Sequence, residues 1–311
     1  MKRIKLPKIV VILGPTAVGK SDSAVQLAKR FNGEVVSADS RQVYKGLTIG
    51  TGKITRKEMK GIRHHLLDVA KPQKQFTVTQ YVTLAKRAVE DILSRGKLPI
   101  ICGGTGFYIS ALLGNETIPD VPPNPSLRKK LKKKTVAELF VLLTKFNRKR
   151  ADMMNESDRQ NPHRLIRAIE IAKALKGKDI HFWKSDSQNT RLRDYQVLRI
   201  GITLPKGELR KRIAIRLFAR IRAGMIREAR RLHKEGLSWK RMDELGLEYR
   251  YLAKYLNNKI SKQEMIEKLD TEIWHYARRQ MTWFRRDKKI RWFQPRDKKK
   301  LADFILKFLR I

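Results

Sequence analysis

The sequence predicts an α/β protein in which an inserted helical domain interrupts a core built on a parallel sheet. Short apolar runs alternate with amphipathic helical segments over residues 9–113, and this order is typical of βαβ units. Four prolines at 119–125 then open a charged segment of helical character, and an apolar run at 195–204 resumes the strand pattern. We expect a core formed by 1–118 and 194–311, with the helical insertion at 119–193.

The predicted core elements follow one another closely. Ile9 to Leu13 is a β-branched run that ends at a glycine, as a buried parallel strand does. Apolar residues recur at helical spacing from Ala24 to Phe31, and Asn32-Gly33 closes that helix. The next elements are a strand at 34–37, a helix with its apolar face from Val82 to Ile92, a strand at 98–102 and an apolar helical segment at 107–113. After the insertion, the last strand is followed by sequence that we expect to be helical to the end.

The charge balance favours a polyanionic partner. The chain has 71 Lys and Arg against 30 Asp and Glu, a net charge of +41. Thermophile surfaces raise acidic residues together with lysine, so a lysine-biased surface is the weaker alternative to nucleic-acid binding. The single cysteine, Cys102, excludes an internal disulfide framework. No apolar run is long enough for a membrane span and no signal-peptide pattern is present, so we expect a cytoplasmic protein.

Residues 14–21 match the phosphate-binding motif G-x-x-x-x-G-K-[ST]. In the motif, backbone N–H groups and Lys20 converge on phosphate oxygens at the start of a helix, and Ser21 is placed to bind Mg²⁺. A strand precedes the motif and an amphipathic helix follows it, so we expect a P-loop NTPase-like core. The expected phosphate-binding residues are Gly14, Pro15, Thr16, Ala17, Val18, Gly19, Lys20 and Ser21.

Asp39 and Thr105 directly follow two of the predicted strands. The carboxyl ends of parallel strands meet at one edge of a sheet, so both residues should face the P-loop. A structural role is the alternative for both residues. Asp39 could stabilise a turn or cap a helix, and Thr105 could cap the helix that follows it. The adjacent His64 and His65 lack the spacing of a metal pair, so we predict no zinc and a structural or RNA-contacting role. We expect Cys102 to be a small buried hydrophobe.

Two basic segments suit contacts with RNA. Residues 161–167 place two arginines one helical turn apart after a proline. Residues 274–286 interleave arginines with four aromatic rings, a mixture that suits phosphates and splayed bases of single-stranded RNA. The lysine clusters at 129–134 and 298–300 are interpreted as solvated helix surface.

Together these segments resemble the tRNA dimethylallyltransferases, also called tRNA isopentenyltransferases, along nearly the whole chain. Six stretches match in the same order: GPTAVGKS at 14–21, SADSRQVYKGLTIGTGK at 37–53, HHLLDV at 64–69, GGTGFYISALL at 103–113, NPHRLIRAIEI at 161–171 and RRQMTWFRRD at 278–287. Of the six stretches, only the P-loop is a specific motif by itself. The resemblance is strong because all six stretches occur in the same order. The chain departs from the family at 246–250, where GLEYR stands in place of a Gly-Tyr-Lys or Gly-Tyr-Arg element.

The resemblance implies transfer of a dimethylallyl group from dimethylallyl diphosphate to N6 of adenosine 37, which follows the anticodon, in tRNAs that read codons beginning with U. It also implies Mg²⁺ as cofactor and a monomer. Asp39 would accept the N6 proton, while Lys20, Thr105 and Arg216 would act at the diphosphate. The implied tRNA contacts are Asp39, Ser40, Arg41, Gln42, Thr105, Arg128, His163, Arg164, Leu165, Ile166, Arg167, Arg278, Arg279, Gln280, Trp283 and Arg285.

Two other classes explain part of the sequence. A P-loop kinase that uses ATP accounts for the phosphate motif and the sheet, but not for the charge, the helical insertion or the aromatic–arginine segment. A non-catalytic RNA-binding protein with a relic P-loop accounts for the charge, but not for Asp39 and Thr105 both lying at strand ends.

Overall fold

The computed structural model describes residues 6–116, 118–119, 121–175 and 195–310. The chain divides into two compact units: unit 1 comprises Met1–Glu116 with Arg191–Ile311, and unit 2 is Thr117–Thr190. The domain edge expected at 193 lies outside the described residues. No helix among the described residues is long and apolar enough to cross a membrane.

Unit 1 is built on a six-stranded sheet with the order β3-β2-β4-β1-β5-β6, and every pairing in it is parallel. The strands are β1 (Lys8–Leu13), β2 (Gly33–Ser37), β3 (His64–His65), β4 (Leu98–Gly103), β5 (Gln196–Ile202) and β6 (Arg291–Phe293). The parallel α/β core is therefore confirmed, and so are the four strands that the sequence predicts.

The helices fall into three groups along the chain. The first group, in unit 1, is α1 (Lys20–Arg30), α2 (Arg56–Met59), α3 (Val78–Ser94) and α4 (Gly106–Leu112). The second group, in unit 2, is α5 (Pro125–Leu131), α6 (Val136–Phe146), α7 (Arg148–Asp152), α8 (Glu156–Arg159) and α9 (Pro162–Ala174). The third group, again in unit 1, is α10 (Lys206–Arg222), α11 (Met225–Lys234), α12 (Trp239–Leu245), α13 (Leu247–Leu256), α14 (Lys262–Phe284) and α15 (Lys298–Arg310).

The expectation that the chain is helical to its end is wrong at β6. This strand has three residues, too few to show a period, and it forms because its aromatic side chains pack against the sheet. A Cβ built on Gly201 would lie 2.3 Å from the Trp292 ring, so glycine at this position lets the indole lie flat on β5. Phe293 in turn packs against Phe304, with ring centroids 5.6 Å apart.

The central position of β1 brings three loops to one edge of the sheet. β1 pairs with β4 on one side and with β5 on the other. The loop after β1 therefore lies beside the turn after β4, and β4 also pairs with β2. Gly14 permits this closeness, because a Cβ at its φ of +144° would lie 2.2 Å from the carbonyl oxygen of Ile202.

Unit 2 is helical in every element that the structure describes, as the sequence predicts. Its core consists of apolar side chains from α5, α6, α7 and α9 and includes Leu139, Leu143, Leu165 and Ile169, all fully buried. Glu170 of α9 accepts hydrogen bonds from Arg128 Nε and Nη2, each at 2.7 Å, and from the backbone N–H of Asn124 at 2.9 Å. This carboxylate therefore joins α5 to α9.

Glu34 holds together the far edge of the sheet. Its carboxylate, only 2% exposed, accepts hydrogen bonds from Arg95 at 2.5 and 2.8 Å and from Lys97 at 2.8 Å, and it lies 2.8 Å from His65 Nε2. The hydrogen bond from Arg95 holds the pKa of Glu34 well below its usual range. Glu34, His65 and Asp91 have ligand atoms within 4.8 Å of one another, but Arg95 and Lys97 already neutralise this cluster. We interpret it as an ion-pair network, which gives His65 a structural role.

Replacing Glu34 tests this network. Glu34→Ala leaves Arg95, Lys97 and His65 without the carboxylate that they contact. We therefore expect the free energy of unfolding to fall by about 2–3 kcal/mol in a urea titration. The matched control is Asp91→Ala, because Asp91 bonds the same Arg95 but its side chain is 49% exposed. The control should cost at most about 1 kcal/mol. Equal losses in the two variants would contradict the assignment.

Candidate active site

A cleft of about 920 Å³, counted with its open mouth, lies at the carboxyl edge of the sheet. It is lined by the P-loop, by the segments after β2 and β4, and by residues of α10, α13 and α14. Its polar and charged lining includes Thr16, Lys20, Ser21, Asp39, Arg41, Gln42, Arg216, Arg220, Glu248, Tyr276 and Gln280. The structure therefore brings Lys20, Asp39 and Arg216 into one site.

The P-loop presents its lysine inside this cleft. Ala17 and Gly19 have φ values of 65° and 87°. Gly19 is the N-cap residue of α1, and Lys20 is the first residue of that helix. Lys20 Nζ donates a hydrogen bond to the Pro15 carbonyl oxygen at 2.6 Å. Burial, and to a lesser extent the nearby charge of Arg216, lowers the pKa of Lys20 to about 8. An anion placed beside Lys20 would offset both effects.

Gln280 fastens the P-loop to the turn after β4. Its Oε1 accepts a hydrogen bond from the Thr16 N–H at 2.9 Å, and its Nε2 donates to the Gly104 carbonyl at 2.8 Å. The residue is 6% exposed. The resemblance implies that Gln280 contacts tRNA, but here the amide is committed to two backbone partners within the protein. We therefore assign it to the support of the phosphate-binding loop.

Asp39 lies in a turn and still lines the cleft. Its Oδ1 accepts hydrogen bonds from the backbone N–H groups of Arg41 at 2.8 Å and Gln42 at 3.3 Å, so the turn alternative holds. Among the described residues, Oδ2 receives no hydrogen bond. One oxygen thus fixes the carboxylate in place, and the other remains available to accept a hydrogen bond or a proton from a group in the cleft.

Thr105 is the N-cap residue of α4, but its side chain makes no capping hydrogen bond to the helix. Its hydroxyl oxygen accepts a hydrogen bond from the Ser40 N–H at 3.0 Å, and α4 has no side-chain cap at this position. Its own N–H donates to the Ala38 carbonyl at 3.1 Å. Thr105 therefore ties the end of β4 to the segment that carries Asp39.

The sequence did not indicate Tyr276, whose hydroxyl lies beside Asp39 and Thr105. Burial, reinforced by the charge of Asp39, raises the pKa of this phenol. Tyr276 is therefore a neutral hydrogen-bond donor at every physiological pH. Nothing in its local sequence distinguishes it from the other aromatic residues of α14, because its role depends on contacts with β2 and β4.

Two arginines of α10 face the cleft one helical turn apart. Arg216 Nη2 donates to the Gly52 carbonyl at 3.2 Å. Arg220 Nη1 donates to the Gly50 carbonyl at 3.2 Å and to Glu248 Oε1 at 3.0 Å. Burial and the neighbouring Arg220 lower the pKa of Arg216 to about 10. The i, i+4 spacing of these arginines was a signal in the sequence, although only Arg216 was singled out.

The altered 246–250 element divides between the cleft and the core. Glu248 lines the cleft and pairs with Arg220. Tyr249 is buried and donates its hydroxyl hydrogen to Glu228 at 2.7 Å. Arg250 is exposed and pairs with Asp243 at 3.2 Å.

The expected tRNA contacts in unit 2 separate into buried and exposed residues. Leu165 and Ile166 belong to the hydrophobic core of this unit, which accounts for their apolar character. Arg128 is bound to Glu170, and Arg167 donates to the Val121 carbonyl at 2.8 Å. The exposed members of the set are His163 and Arg164, the second of which pairs with Asp158.

The aromatic–arginine segment of α14 has an exposed basic side. Arg278, Arg279 and Arg285 are exposed, whereas Trp283 packs edge-on against Phe107 with ring centroids 6.4 Å apart. A Cβ on Gly106 would lie 2.2 Å from the Trp283 ring. Trp283 is thus partly a packing residue, and the arginines remain accessible.

The chemistry of the donors in the cleft fits a magnesium ion. The Ser21 hydroxyl and the Asp39 carboxylate line the same cleft, and Mg²⁺ prefers oxygen ligands, with few from the protein and others from water and phosphate. The Ser21 hydroxyl would hold the ion beside a diphosphate.

The fold and the cleft define a P-loop enzyme that acts on a phosphate-bearing substrate. A family model described as IPP transferase matches residues 42–287. The tRNA dimethylallyltransferase 2 of Treponema denticola is 45% identical over 281 residues, which cover 90% of this chain and 92% of that protein. The tRNA isopentenylpyrophosphate transferase of Bacillus halodurans, a solved structure, is 34% identical with a TM-score of 0.71, and 97% of each chain is covered.

A eukaryotic dimethylallyltransferase, solved as it acts on tRNA, has a TM-score of 0.72 at 25% identity, with 89% of this chain and 70% of that chain covered. The chain belongs to the IPP transferase family, whose matched members are tRNA dimethylallyltransferases. It is a prenyl-transferring enzyme, and the resemblance found in the sequence is confirmed.

The lowered pKa of Lys20 predicts an alkaline loss of donor binding. The lysine is charged below a pH of about 8 and neutral above it, so kcat/KM for the prenyl diphosphate should fall as the pH rises from about 7.5 to 9.5. Lys20→Arg keeps its charge across this range, so whatever activity it retains should lack the decline. A flat wild-type profile over the same range would contradict the prediction.

Proposed function

We propose that the cleft binds dimethylallyl diphosphate and transfers its dimethylallyl group to N6 of adenosine 37 in tRNAs that read codons beginning with U. The observation that carries this proposal is the meeting of Lys20, Arg216 and Asp39 in one cleft. Cations suit a diphosphate, and a carboxylate beside them suits a nucleophile that must lose a proton. We propose a monomer as the active form, as the family resemblance implies.

The reaction exchanges a C–O bond of the donor for a C–N bond to the adenine. The N6 amine is a weak nucleophile because its lone pair is delocalised into the ring. The Oδ2 atom of Asp39 would accept the N6 proton as the bond forms, a contribution of about 10²–10⁴-fold. The departing diphosphate gains charge, which Lys20, Arg216 and the P-loop N–H groups would stabilise. Mg²⁺, when bound, would supply further charge neutralisation at the same oxygens.

Thr105 is assigned to the bridging oxygen of the diphosphate, as the resemblance implies. Its link to Ser40 supports this assignment, because it keeps the hydroxyl at the strand ends that border the cleft. Tyr276 adds a neutral donor beside Asp39. An adenine base reaches this depth only when it leaves its stack, so a flipped nucleotide is part of the proposal.

Exposed basic side chains supply the contacts to RNA. On α14 these are Arg278, Arg279 and Arg285, and in unit 2 they are His163 and Arg164. Phosphate contacts of this kind fix the position of an RNA without reading its sequence.

Paired incubations separate this proposal from the kinase alternative. One tube contains the protein, Mg²⁺, unmodified tRNA and γ-labelled ATP, and the other contains dimethylallyl diphosphate in place of ATP. We expect pyrophosphate release only in the second tube, dependent on both tRNA and donor and lost in Lys20→Ala. The P-loop N–H groups and Lys20 recognise phosphates without discriminating their esters, so the choice of donor must come from the rest of the cleft and from the RNA. Transfer of γ-phosphate without prenylated adenosine would overturn the proposal.

Removing the charge of Asp39 tests its assigned role as the base that accepts the N6 proton. Asp39→Asn keeps the shape and an oxygen for the turn but loses the base, so kcat should fall at least about a hundredfold while the Kd for tRNA changes little. Single-turnover rates measure the chemical step directly. Rates within about threefold of wild type would remove Asp39 from its assigned role.

The α14 arginines should affect tRNA binding and its salt dependence. Arg279→Ala and Arg285→Ala should weaken binding and each lower the slope of log K against log salt by about 0.7–0.9, because every phosphate contact releases counterions. Arg30→Ala is the control, since Arg30 is an exposed arginine at the opposite end of α1 from the P-loop. If the three variants bind tRNA alike, the α14 surface is not the tRNA contact.

A further inference from the structure

Glu228 of α11 is a buried carboxylate that accepts four hydrogen bonds. Its Oε2 accepts from the backbone N–H groups of Thr48 at 3.0 Å and Ile49 at 2.7 Å. Its Oε1 accepts from the Gly50 N–H at 2.9 Å and from the Tyr249 hydroxyl at 2.7 Å. The residue is 6% exposed. A buried charge of this kind is stable only with such complete satisfaction, so the loop and the carboxylate require each other.

The segment held by Glu228 is the one that touches the arginines of the cleft. We name residues 48–52 the anchor loop. Its first N–H groups bind Glu228, while the carbonyl oxygens of Gly50 and Gly52 accept hydrogen bonds from Arg220 and Arg216, each at 3.2 Å. The anchor loop thus lies between the Glu228 carboxylate and the guanidinium groups of Arg216 and Arg220.

Glycine at two positions of the anchor loop permits this packing. A Cβ on Gly50 would lie 2.8 Å from the ring of Tyr249, and Gly52 has a φ of 57° with the Arg220 and Arg216 guanidinium groups directly over it. No larger side chain fits between the loop backbone and these neighbours without displacement.

We propose that Glu228 is a positioning residue, which fixes the anchor loop so that Arg216 and Arg220 are oriented for the diphosphate before it binds. The inference rests on the proposed function, in which the cleft holds this diphosphate. Among the described residues Arg216 makes one hydrogen bond, to Gly52, so most of its five N–H donors remain for phosphate oxygens. An arginine side chain loses rotamer entropy when it binds a ligand, and a guanidinium that is already oriented loses less of it.

Glu228→Gln tests the proposal because the amide has the same shape but one oxygen. The –NH₂ group would face N–H and O–H donors, so part of the anchor loop must detach. We expect the inhibition constant of pyrophosphate and the KM for dimethylallyl diphosphate at saturating tRNA to rise at least about tenfold. The Kd for tRNA should stay within about twofold. Glu235→Gln, an exposed glutamate at the end of the same helix, is the control and should match wild type.

A double-mutant cycle separates positioning from a general loss of stability. In an Arg216→Ala background, Glu228→Gln should raise the pyrophosphate inhibition constant by no more than about threefold, because one of the two arginines that Glu228 orients is absent. The same fold-change in both backgrounds, or wild-type inhibition in Glu228→Gln, would overturn the proposal. If Glu228→Gln does not fold, Tyr249→Phe removes one of the four hydrogen bonds, and an unchanged inhibition constant in that variant would overturn it equally.

Failure of the proposed function gives a different result. If Lys20→Ala keeps the wild-type inhibition constant for pyrophosphate, the cleft is not the diphosphate site, and both proposals fall. If Lys20→Ala loses this inhibition while Glu228→Gln does not, only the role of Glu228 is excluded.

Discussion

The site depends on the close parallel packing of β1 between β4 and β5. Gly14 approaches Ile202 and Gly103 approaches Ala38 at distances that leave no room for a side chain. This packing brings the loops after β1, β2 and β4 to one edge, where backbone N–H groups, a lysine and a carboxylate meet. Gln280 and Thr105 then tie these loops together across the sheet. The chemistry of the cleft is therefore a consequence of strand order.

Positive charge serves two purposes in this chain. Inside the cleft, Lys20, Arg216 and Arg220 are close enough and buried enough that the pKa of each of the first two is lowered. Under the proposed function, a diphosphate bound in the cleft would relieve their mutual repulsion and so couple substrate binding to the protonation of Lys20. On the surface, the remaining excess of the +41 net charge meets solvent and suits a long polyanion. Buried acids such as Glu34, Glu170 and Glu228 instead accept hydrogen bonds from other groups within the protein.

The sequence predicted the parts of the structure that depend on local pattern. The P-loop, four strands and the helical insertion have periods or motifs, whereas β3 and β6 have two and three residues and are formed by tertiary contacts. The loop-holding roles of Glu228 and Gln280 escaped notice because their backbone partners are more than 170 residues away along the chain. Leu165 and Ile166 were assigned to tRNA by resemblance, although their helical spacing with Ile169 already indicated a core face.

A crystal structure with an anticodon stem-loop RNA and an unreactive thio-analogue of dimethylallyl diphosphate would test the central claim, that one cleft holds both reactants. The account predicts the diphosphate on Lys20 and Arg216, and N6 of a flipped adenosine within about 2.6–3.2 Å of Asp39 Oδ2. A diphosphate bound away from the P-loop, or an adenine whose N6 lies beyond hydrogen-bond reach of Asp39, would contradict it.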